Sequence, residues 1–88
     1  MAFLTDSKLK KIGFKYLGTN VKISNKASFY NARSISIGDN TRIDDFCVLS
    51  AGSGGIIVGR NVHISVYTSI IGKDKIQVGD FATLSSRV

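Results

Sequence analysis

The sequence ISIGDNTRID at residues 35–44 recurs in altered form twice further along the chain, as IIVGRNVHIS at residues 56–65 and as IQVGDFATLS at residues 76–85. Successive copies therefore start 21 and then 20 residues apart, and a weaker copy that begins at Leu17 precedes Ile37 by 20 residues. Self-similarity at a fixed period of this length is typical of stacked-repeat proteins, in which each unit buries its apolar face only against its neighbours.

A finer period of six residues runs through each copy. A large apolar residue occupies every sixth position, and a small or β-branched residue follows most of these by four. The large residues are Leu17, Ile23, Phe29, Ile37, Ile43, Leu49, Val58, Ile64, Ile70, Val78 and Leu84. The small ones are Val21, Ala27, Thr41, Cys47, Val62, Thr68, Ala82 and Val88.

This period fits neither an α-helix nor a strand with simple alternation. It fits a short strand followed by a turn, used three times per coil, with the large and the small residue both pointing inward. Three such sides account for 18 of the 20 or 21 residues in a repeat, so the extra residues are predicted to bulge at one corner. The predicted inserts lie at residues 33–36, 53–57 and 74–77.

The N-terminal segment has a different pattern, because residues 5–14 predict a short helix. Thr5 or Asp6 can cap its first turn, and Gly13 can take the positive φ that ends it. We expect this helix to cover the open edge of the first coil. The predicted organisation is a helical cap at residues 1–14, followed by a solenoid at residues 15–88 that is incomplete after Val88 because no capping segment follows.

Length, composition and charge set further bounds on the chain. A chain of 88 residues with 43% hydrophobic content is one small ordered domain. No apolar run suits a signal peptide or a bilayer span, so a cytoplasmic location is the default expectation. The single Cys47 falls on an inward position and is predicted to be a reduced core residue rather than a catalytic thiol. The net charge of +6 has no aromatic platform or known motif beside it, which disfavours nucleic-acid binding.

The head of each coil, with Gly38-Asp39-Asn40 and its counterparts, resembles the hexapeptide-repeat acyltransferases. The stretches at residues 9–14, 20–24, 42–50 and 84–88 are similar, more narrowly, to the sugar O- and N-acetyltransferases of surface-polysaccharide synthesis, and the chain resembles only their N-terminal part. The resemblance implies an all-β, left-handed parallel β-helix of about three and a half to four coils with a short N-terminal capping helix. It also implies a homotrimer that binds acetyl-CoA in the groove between the β-helices of neighbouring subunits.

The same resemblance implies a catalytic histidine that acts as general base on a sugar or nucleotide-sugar hydroxyl or amine. His63 is the one histidine of the chain, and its position predicts an outward side chain beside a column that carries Asp44. We therefore take His63 as the candidate base, with a surface turn that merely tolerates histidine as the alternative. Asp44 and Asp45 are candidate substrate-binding carboxylates, and the alternative for them is an ordinary solvated turn.

Two further alternatives concern function. No metal is predicted, because a γ-class carbonic anhydrase, which shares this coil, needs several histidine ligands and the chain has one. The main competitor of the enzyme hypothesis is a non-catalytic β-helix fragment or oligomerising scaffold. About four coils stack to about 20 Å at the usual strand spacing, a length that an extended acyl-CoA would exceed.

Overall fold

The fold is a parallel β-solenoid, seen in a computed structural model that describes residues 2–85. This part of the chain holds one α-helix, α1 (Asp6–Ile12), one short 3₁₀-helix (Ala32–Ser34) and eleven short strands. The strands are β1 (Tyr16–Leu17), β2 (Lys22–Ile23), β3 (Ser28–Tyr30), β4 (Ile35–Ile37), β5 (Arg42–Ile43), β6 (Val48–Ala51), β7 (Ile56–Val58), β8 (His63–Ile64), β9 (Ser69–Gly72), β10 (Ile76–Val78) and β11 (Thr83–Leu84).

The strands form three parallel sheets that make the three sides of the coil. Their strand orders are β1-β4-β7-β10, β2-β5-β8-β11 and β3-β6-β9. Each coil therefore contributes one strand to each sheet, and the described residues make three complete turns followed by two strands of a further one. Ile37 pairs with Val58 and Ile43 with Ile64, so the predicted shift of 20 or 21 residues between coils is the observed register.

The core is a column of aliphatic side chains enclosed by the three sheets. Every described residue that the six-residue period placed inward is buried or half-buried, and Ile23, Ile37, Ile43, Leu49 and Ile64 are fully buried. The predicted inward Val88 lies outside the described residues. Stacking similar aliphatic residues from successive coils removes their apolar surface from water, which is the main favourable contribution to folding.

Cys47 occupies its predicted place in this core. Its thiol is free and buried, and Sγ donates a hydrogen bond to the carbonyl of Ser65 at 2.9 Å. Burial raises the pKa of this thiol, and the nearby negative charges of Asp44 and Asp45 add to the effect. A buried thiol with a raised pKa is a poor nucleophile, which agrees with the prediction of a structural role.

The prediction of the corner inserts was wrong in part. Ile35 and Ile56 were placed in the bulges, but they are buried and begin β4 and β7. The 3₁₀-helix and the turn at residues 52–55 absorb the extra residues before these strands start. An aliphatic side chain is thereby returned to the core at the first position of each strand.

The corner between the first and second sides has a repeated backbone conformation. Its residues Asn20, Asn40, Asn61 and Phe81 all have positive φ, between 54° and 62°. Asparagine adopts this left-handed region more readily than most residues, because its short polar side chain bonds locally. One pair of these asparagines also bonds across the coils, since Nδ2 of Asn20 donates to Oδ1 of Asn40 at 2.9 Å.

The helix α1 begins and ends as the sequence predicts. Thr5 is the N-cap, and its side chain accepts a hydrogen bond from the backbone of Lys8. Gly13 closes the helix in the left-handed conformation at φ 85°. Leu9 is the buried residue of the helix and joins the core of the solenoid. Within residues 2–85, no helix has the length and apolar character needed to cross a bilayer.

The first coil is covered by the helix, whose Leu9 joins the core as predicted, and also by a second segment that the sequence analysis did not foresee. The extended residues 2–4 form an antiparallel bridge, Phe3 to Ser24, beside β2. The backbone of Leu4 donates to the carbonyl of Ile23 at 2.8 Å. A helix cannot satisfy the row of unpaired backbone groups along a strand, whereas an extended segment can.

Candidate functional site

The candidate site lies on the outer face of the second sheet. His63 is in β8, where its Cα is in register with Arg42 of β5 on one side and Thr83 of β11 on the other. Its side chain points outward, as predicted, and is 42% exposed. The neighbouring core residue Ile64 is fully buried, so the alternation of the strand fixes the direction of His63.

Asp44 lies immediately after β5 and receives two hydrogen bonds from outward side chains. Nε of Arg42 donates to Oδ1 at 2.7 Å, and Nε2 of His63 lies 2.8 Å from Oδ2. Asp44 itself is only 5% exposed. Each carboxylate oxygen therefore has its own cationic or polar partner, and the three side chains form one connected group, which we call the Arg42–Asp44–His63 group.

The charge of Asp44 is kept although its side chain is nearly buried. Burial alone raises the pKa of a carboxyl group, but the hydrogen bonds from His63 and Arg42, with the charges of both partners, outweigh it and hold the pKa of Asp44 below its ordinary value. Asp44 is thus a carboxylate at neutral pH. It accepts hydrogen bonds and attracts positive charge on the imidazole.

This arrangement determines what His63 can do chemically. When the carboxylate of Asp44 accepts the proton on Nε2, the neutral ring keeps its lone pair on Nδ1. Nδ1 has no hydrogen-bond partner among residues 2–85, and the ring is partly exposed. The pair therefore has the geometry of an oriented base, in which the carboxylate fixes the tautomer and stabilises the imidazolium that forms on protonation.

Asp45 was predicted beside Asp44 as a second substrate-binding carboxylate, but it is directed elsewhere. Its Oδ1 accepts a short hydrogen bond from the hydroxyl of Ser24, one coil away. The same hydroxyl accepts a hydrogen bond from the backbone of Lys26 at 3.0 Å. The structure thus brings Asp44 and His63 together and ties Asp45 to the preceding coil.

Arg42 is the member of the group that the sequence analysis did not select. Its bond to Asp44 was not foreseen. The available signal was spacing, because residues two apart on an extended strand point to the same side. The guanidinium also lies over the ring of Phe3, 5.5 Å from its centroid, so the segment that covers the coil edge also contacts the site.

A column of exposed rings stands at the corner that follows the site. Phe46 and Tyr67 stack with their centroids 5.2 Å apart and their planes at 14°, and the ammonium of Lys26 lies 5.4 Å from the centroid of Phe46. We call these three side chains the aromatic column. The sequence analysis did not foresee the pairing of Phe46 with Tyr67.

Among the described residues 2–85, no three His, Cys, Asp or Glu side chains are grouped so that they could hold a metal ion. The groups that the Arg42–Asp44–His63 group offers are hydrogen-bonding and ionisable side chains.

Comparison with known proteins gives one curated relative over the whole chain. The chain is 60% identical over 88 residues to a dTDP-4-amino-4,6-dideoxy-D-glucose acyltransferase of Escherichia coli, covering 100% of this chain and 46% of the relative. No protein-family model matches the chain.

Solved structures agree with this relationship. AntD, an N-acyltransferase from Bacillus cereus solved with dTDP and 3-hydroxybutyryl-CoA, is 50% identical with a TM-score of 0.85, over 92% of this chain and 42% of AntD. A variant of AntD solved with dTDP-4-amino-4,6-dideoxyglucose and coenzyme A matches at 50% identity and a TM-score of 0.78, over 85% of this chain and 39% of that protein. The chain is therefore similar over its whole length to the Escherichia coli acyltransferase and over most of its length to AntD, and it spans less than half of the relatives it matches.

Proposed function

We propose that the chain is part of an acyltransferase that moves an acyl group from a coenzyme A thioester to the amino group of a nucleotide-linked amino sugar. The observation that carries this proposal is the 60% identity over all 88 residues to the Escherichia coli enzyme. An amine acceptor is favoured over a hydroxyl because AntD is named an N-acyltransferase. We further propose a left-handed coil and a homotrimeric assembly, in keeping with the resemblance.

The proposed donor is an acyl-CoA in general, which is a wider class than the acetyl-CoA that the resemblance implies. The matched structures were solved with 3-hydroxybutyryl-CoA or with coenzyme A itself. Acetyl-CoA remains one donor to be tested. A part in surface-polysaccharide synthesis is likewise a proposal, and it requires that the acylated sugar be consumed by a glycosyl-transfer reaction.

In the proposed mechanism the neutral amine attacks the thioester carbonyl, and His63 acts as the base. The new C–N bond forms, the amine proton passes to Nδ1 of His63, and the C–S bond breaks as the tetrahedral intermediate collapses. The departing thiolate then takes a proton from the imidazolium. Asp44 holds Nε2 throughout and stabilises the imidazolium by its charge.

The substrate-binding roles predicted for the two carboxylates are refined by the contacts that support this proposal. Both oxygens of Asp44 are already bonded, which suits a residue that positions His63 better than one that binds the acceptor. Asp45 is bonded through one oxygen to Ser24. Its other oxygen is the one we assign to the acceptor amine or a sugar hydroxyl.

Binding and turnover test the proposal in sequence. Calorimetric titration of the 88-residue chain with coenzyme A and with dTDP, together with light scattering on the same sample, measures whether the ligand sites and a trimer are present. Micromolar binding by a trimer supports the acyltransferase proposal. A folded chain that binds neither ligand contradicts it for this chain and favours the non-catalytic scaffold.

Turnover then tests the role of His63. Thiol release is followed with dTDP-4-amino-4,6-dideoxyglucose as acceptor and with acetyl-CoA or 3-hydroxybutyryl-CoA as donor. We expect His63→Gln to lower kcat about 100-fold or more with a small change in KM, because general-base catalysis supplies factors of this order. An unchanged kcat would eliminate His63 as the base while leaving the acyltransferase proposal intact.

A further inference from the structure

The aromatic column occupies a backbone conformation that the fold can fill with asparagine. Phe46 and Tyr67 have φ of 61° and 62°, in the left-handed region that is unfavourable for large side chains. The first corner makes the same demand and meets it with Asn20, Asn40 and Asn61 in three turns and with Phe81 in the last. The solenoid therefore does not require a ring at such a position, and the two rings need an explanation outside the fold.

The rings also remain in contact with solvent. Phe46 is 46% exposed and Tyr67 is 67% exposed, although the two stack on each other. The ammonium of Lys26 stands against Phe46 at one end of the column. A pair of exposed parallel rings beside a cation suits a flat ligand that carries negative charge. The flat part of the ligand can stack on the protein's rings, and its negative charge can form an ion pair with the cation.

The aromatic column is continuous with the candidate site. Phe46 follows Asp44 by two residues, and the backbone of Tyr67 donates to the carbonyl of Asp45 at 3.1 Å. Tyr67 is four positions after His63 in the chain, a span of at most about 14 Å for an extended chain. A ligand that reaches both places must therefore be short.

Two flat, phosphate-bearing ligands belong to the proposed reaction. In a nucleotide sugar only the pentose and the diphosphate separate the base from the reacting sugar. In an acyl-CoA the whole pantetheine arm is added between the adenine and the thioester. The short distance from the column to His63 favours the nucleotide sugar.

We propose that the aromatic column binds the base of the nucleotide sugar, with Phe46 and Tyr67 contacting the ring and Lys26 pairing with the diphosphate. This inference rests on the proposed function and adds to it the residues that recognise the nucleotide. It gives Tyr67 and Phe46 a binding role, and it places the sugar end of the ligand toward Asp45 and His63.

The chain offers matched variants for the test. Phe46→Asn and Tyr67→Asn install the residue that the first corner uses at the same φ, so the melting temperature should be no lower than that of the parent. Phe81→Asn makes the same change at an exposed ring with φ 62° on the first corner, away from the column, and serves as the control.

The measurement is calorimetric titration with dTDP and, separately, with inorganic pyrophosphate. We expect each column variant to bind dTDP about tenfold more weakly and pyrophosphate unchanged, because loss of one ring–base contact has an effect of this size. Phe81→Asn should bind both as the parent does. Lys26→Gln should weaken both, since it removes the charge.

Three results would overturn the inference. Parental dTDP affinity in both column variants would mean that the rings do not bind the base, and the acyltransferase proposal would stand if the parent binds dTDP and coenzyme A. A fall in mass by light scattering on Phe46→Asn or Tyr67→Asn would assign the rings to a contact between copies of the chain. A parent that binds neither dTDP nor coenzyme A would reject both proposals together.

Discussion

Asp44 is nearly buried and still ionised, and the candidate site depends on this combination. Its two hydrogen-bond donors come from β5 and β8, so the carboxylate has both partners only where two coils are stacked in the correct register. A carboxylate in this position orients His63 and also links the coils. Function and stability are therefore coupled at this residue.

The coupling predicts how stability responds to acid. The folded pKa of Asp44 lies below its ordinary value of 3.8, so its contribution is fully present above about pH 4 and is lost as pH falls further through the folded pKa. Asp44→Asn should lower the free energy of unfolding at pH 7 by about 1–2 kcal/mol and flatten the loss of stability below pH 4.

Urea unfolding followed by circular dichroism from pH 7 to pH 2.5 measures this. Asp74→Asn, at an exposed turn, is the control and should leave the profile unchanged. An Asp44→Asn variant that keeps the parental slope in acid would show that the folded carboxylate is not stabilised by its two partners.

The sequence was sufficient to place His63 outward beside Asp44, because period and register determine directions. It was not sufficient for Arg42 or for the pairing of Phe46 with Tyr67. Those contacts depend on the rotamers of long side chains and on the φ of a turn residue, and neither is fixed by a six-residue period. The bond of Asp45 to Ser24 was not foreseen for the same reason, since adjacent residues on a turn can point to different coils.

The second and third sides of the coil each place a threonine hydroxyl beside the aliphatic core, and the two hydroxyls differ in their hydrogen bonds. Thr41 is buried and satisfied, since its hydroxyl donates to the carbonyl of Gly59 at 2.8 Å and accepts from the backbone of Val62 at 3.3 Å. Thr68 occupies the corresponding small position on the third side. Its buried hydroxyl has no hydrogen-bond partner within the described part of the chain.

The two threonines predict opposite effects of the same substitution. Thr68→Val should raise the free energy of unfolding by about 1 kcal/mol, because it replaces an unsatisfied hydroxyl with a methyl group of similar size. Thr41→Val should lower it by about 1–3 kcal/mol, because a backbone carbonyl and an N–H lose their partner.

Urea midpoints of the two variants against the parent decide this prediction. Each variant is the control for the other, since both make the same change in volume. A loss of stability in Thr68→Val equal to that in Thr41→Val would mean that both hydroxyls are satisfied in solution.

The ends of a helix or strand were predicted correctly where a residue with a specific conformational role stands there. The helix α1 begins after Thr5 and ends before Gly13, because a hydroxyl cap and a glycine in the left-handed region have specific conformational roles. The starts of β4 and β7 were missed, because an aliphatic residue beside an insert is consistent with either the bulge or the strand. Residues 2–4 were missed as an edge strand, since so short a segment has no period to detect.

At the scale of the whole molecule, glycine contacts set the distance between coils. A Cβ on Gly38 would lie 2.5 Å from backbone atoms of Gly59 in the next coil, whereas a Cβ on Gly79 would meet nothing within 4 Å. Both residues hold the same place in their repeats. A Cβ at this place therefore collides with the neighbouring coil wherever another coil of the chain stacks on it.

This difference predicts a matched pair of substitutions. Gly38→Ala should lower the free energy of unfolding by about 3 kcal/mol, because the backbone of the neighbouring coil must move. Gly79→Ala in the 88-residue chain should be neutral or stabilising by up to about 1 kcal/mol, because alanine restricts the unfolded chain.

Thermal unfolding of both variants checks the prediction, with the parent as reference. Equal destabilisation by the two substitutions would show that the requirement for glycine is conformational rather than one of distance between coils. A neutral Gly38→Ala would mean that the coils separate at this corner without loss.

The constant register has a consequence for how the chain folds. Every strand pairs with one that lies 20 or 21 residues away, so each successive pairing closes a loop of nearly the same length and loses nearly the same chain entropy. No pairing is intrinsically slower than another. Folding can nucleate in whichever coil collapses first. It can then propagate in both directions along the chain, because each completed coil is the template on which the next one pairs.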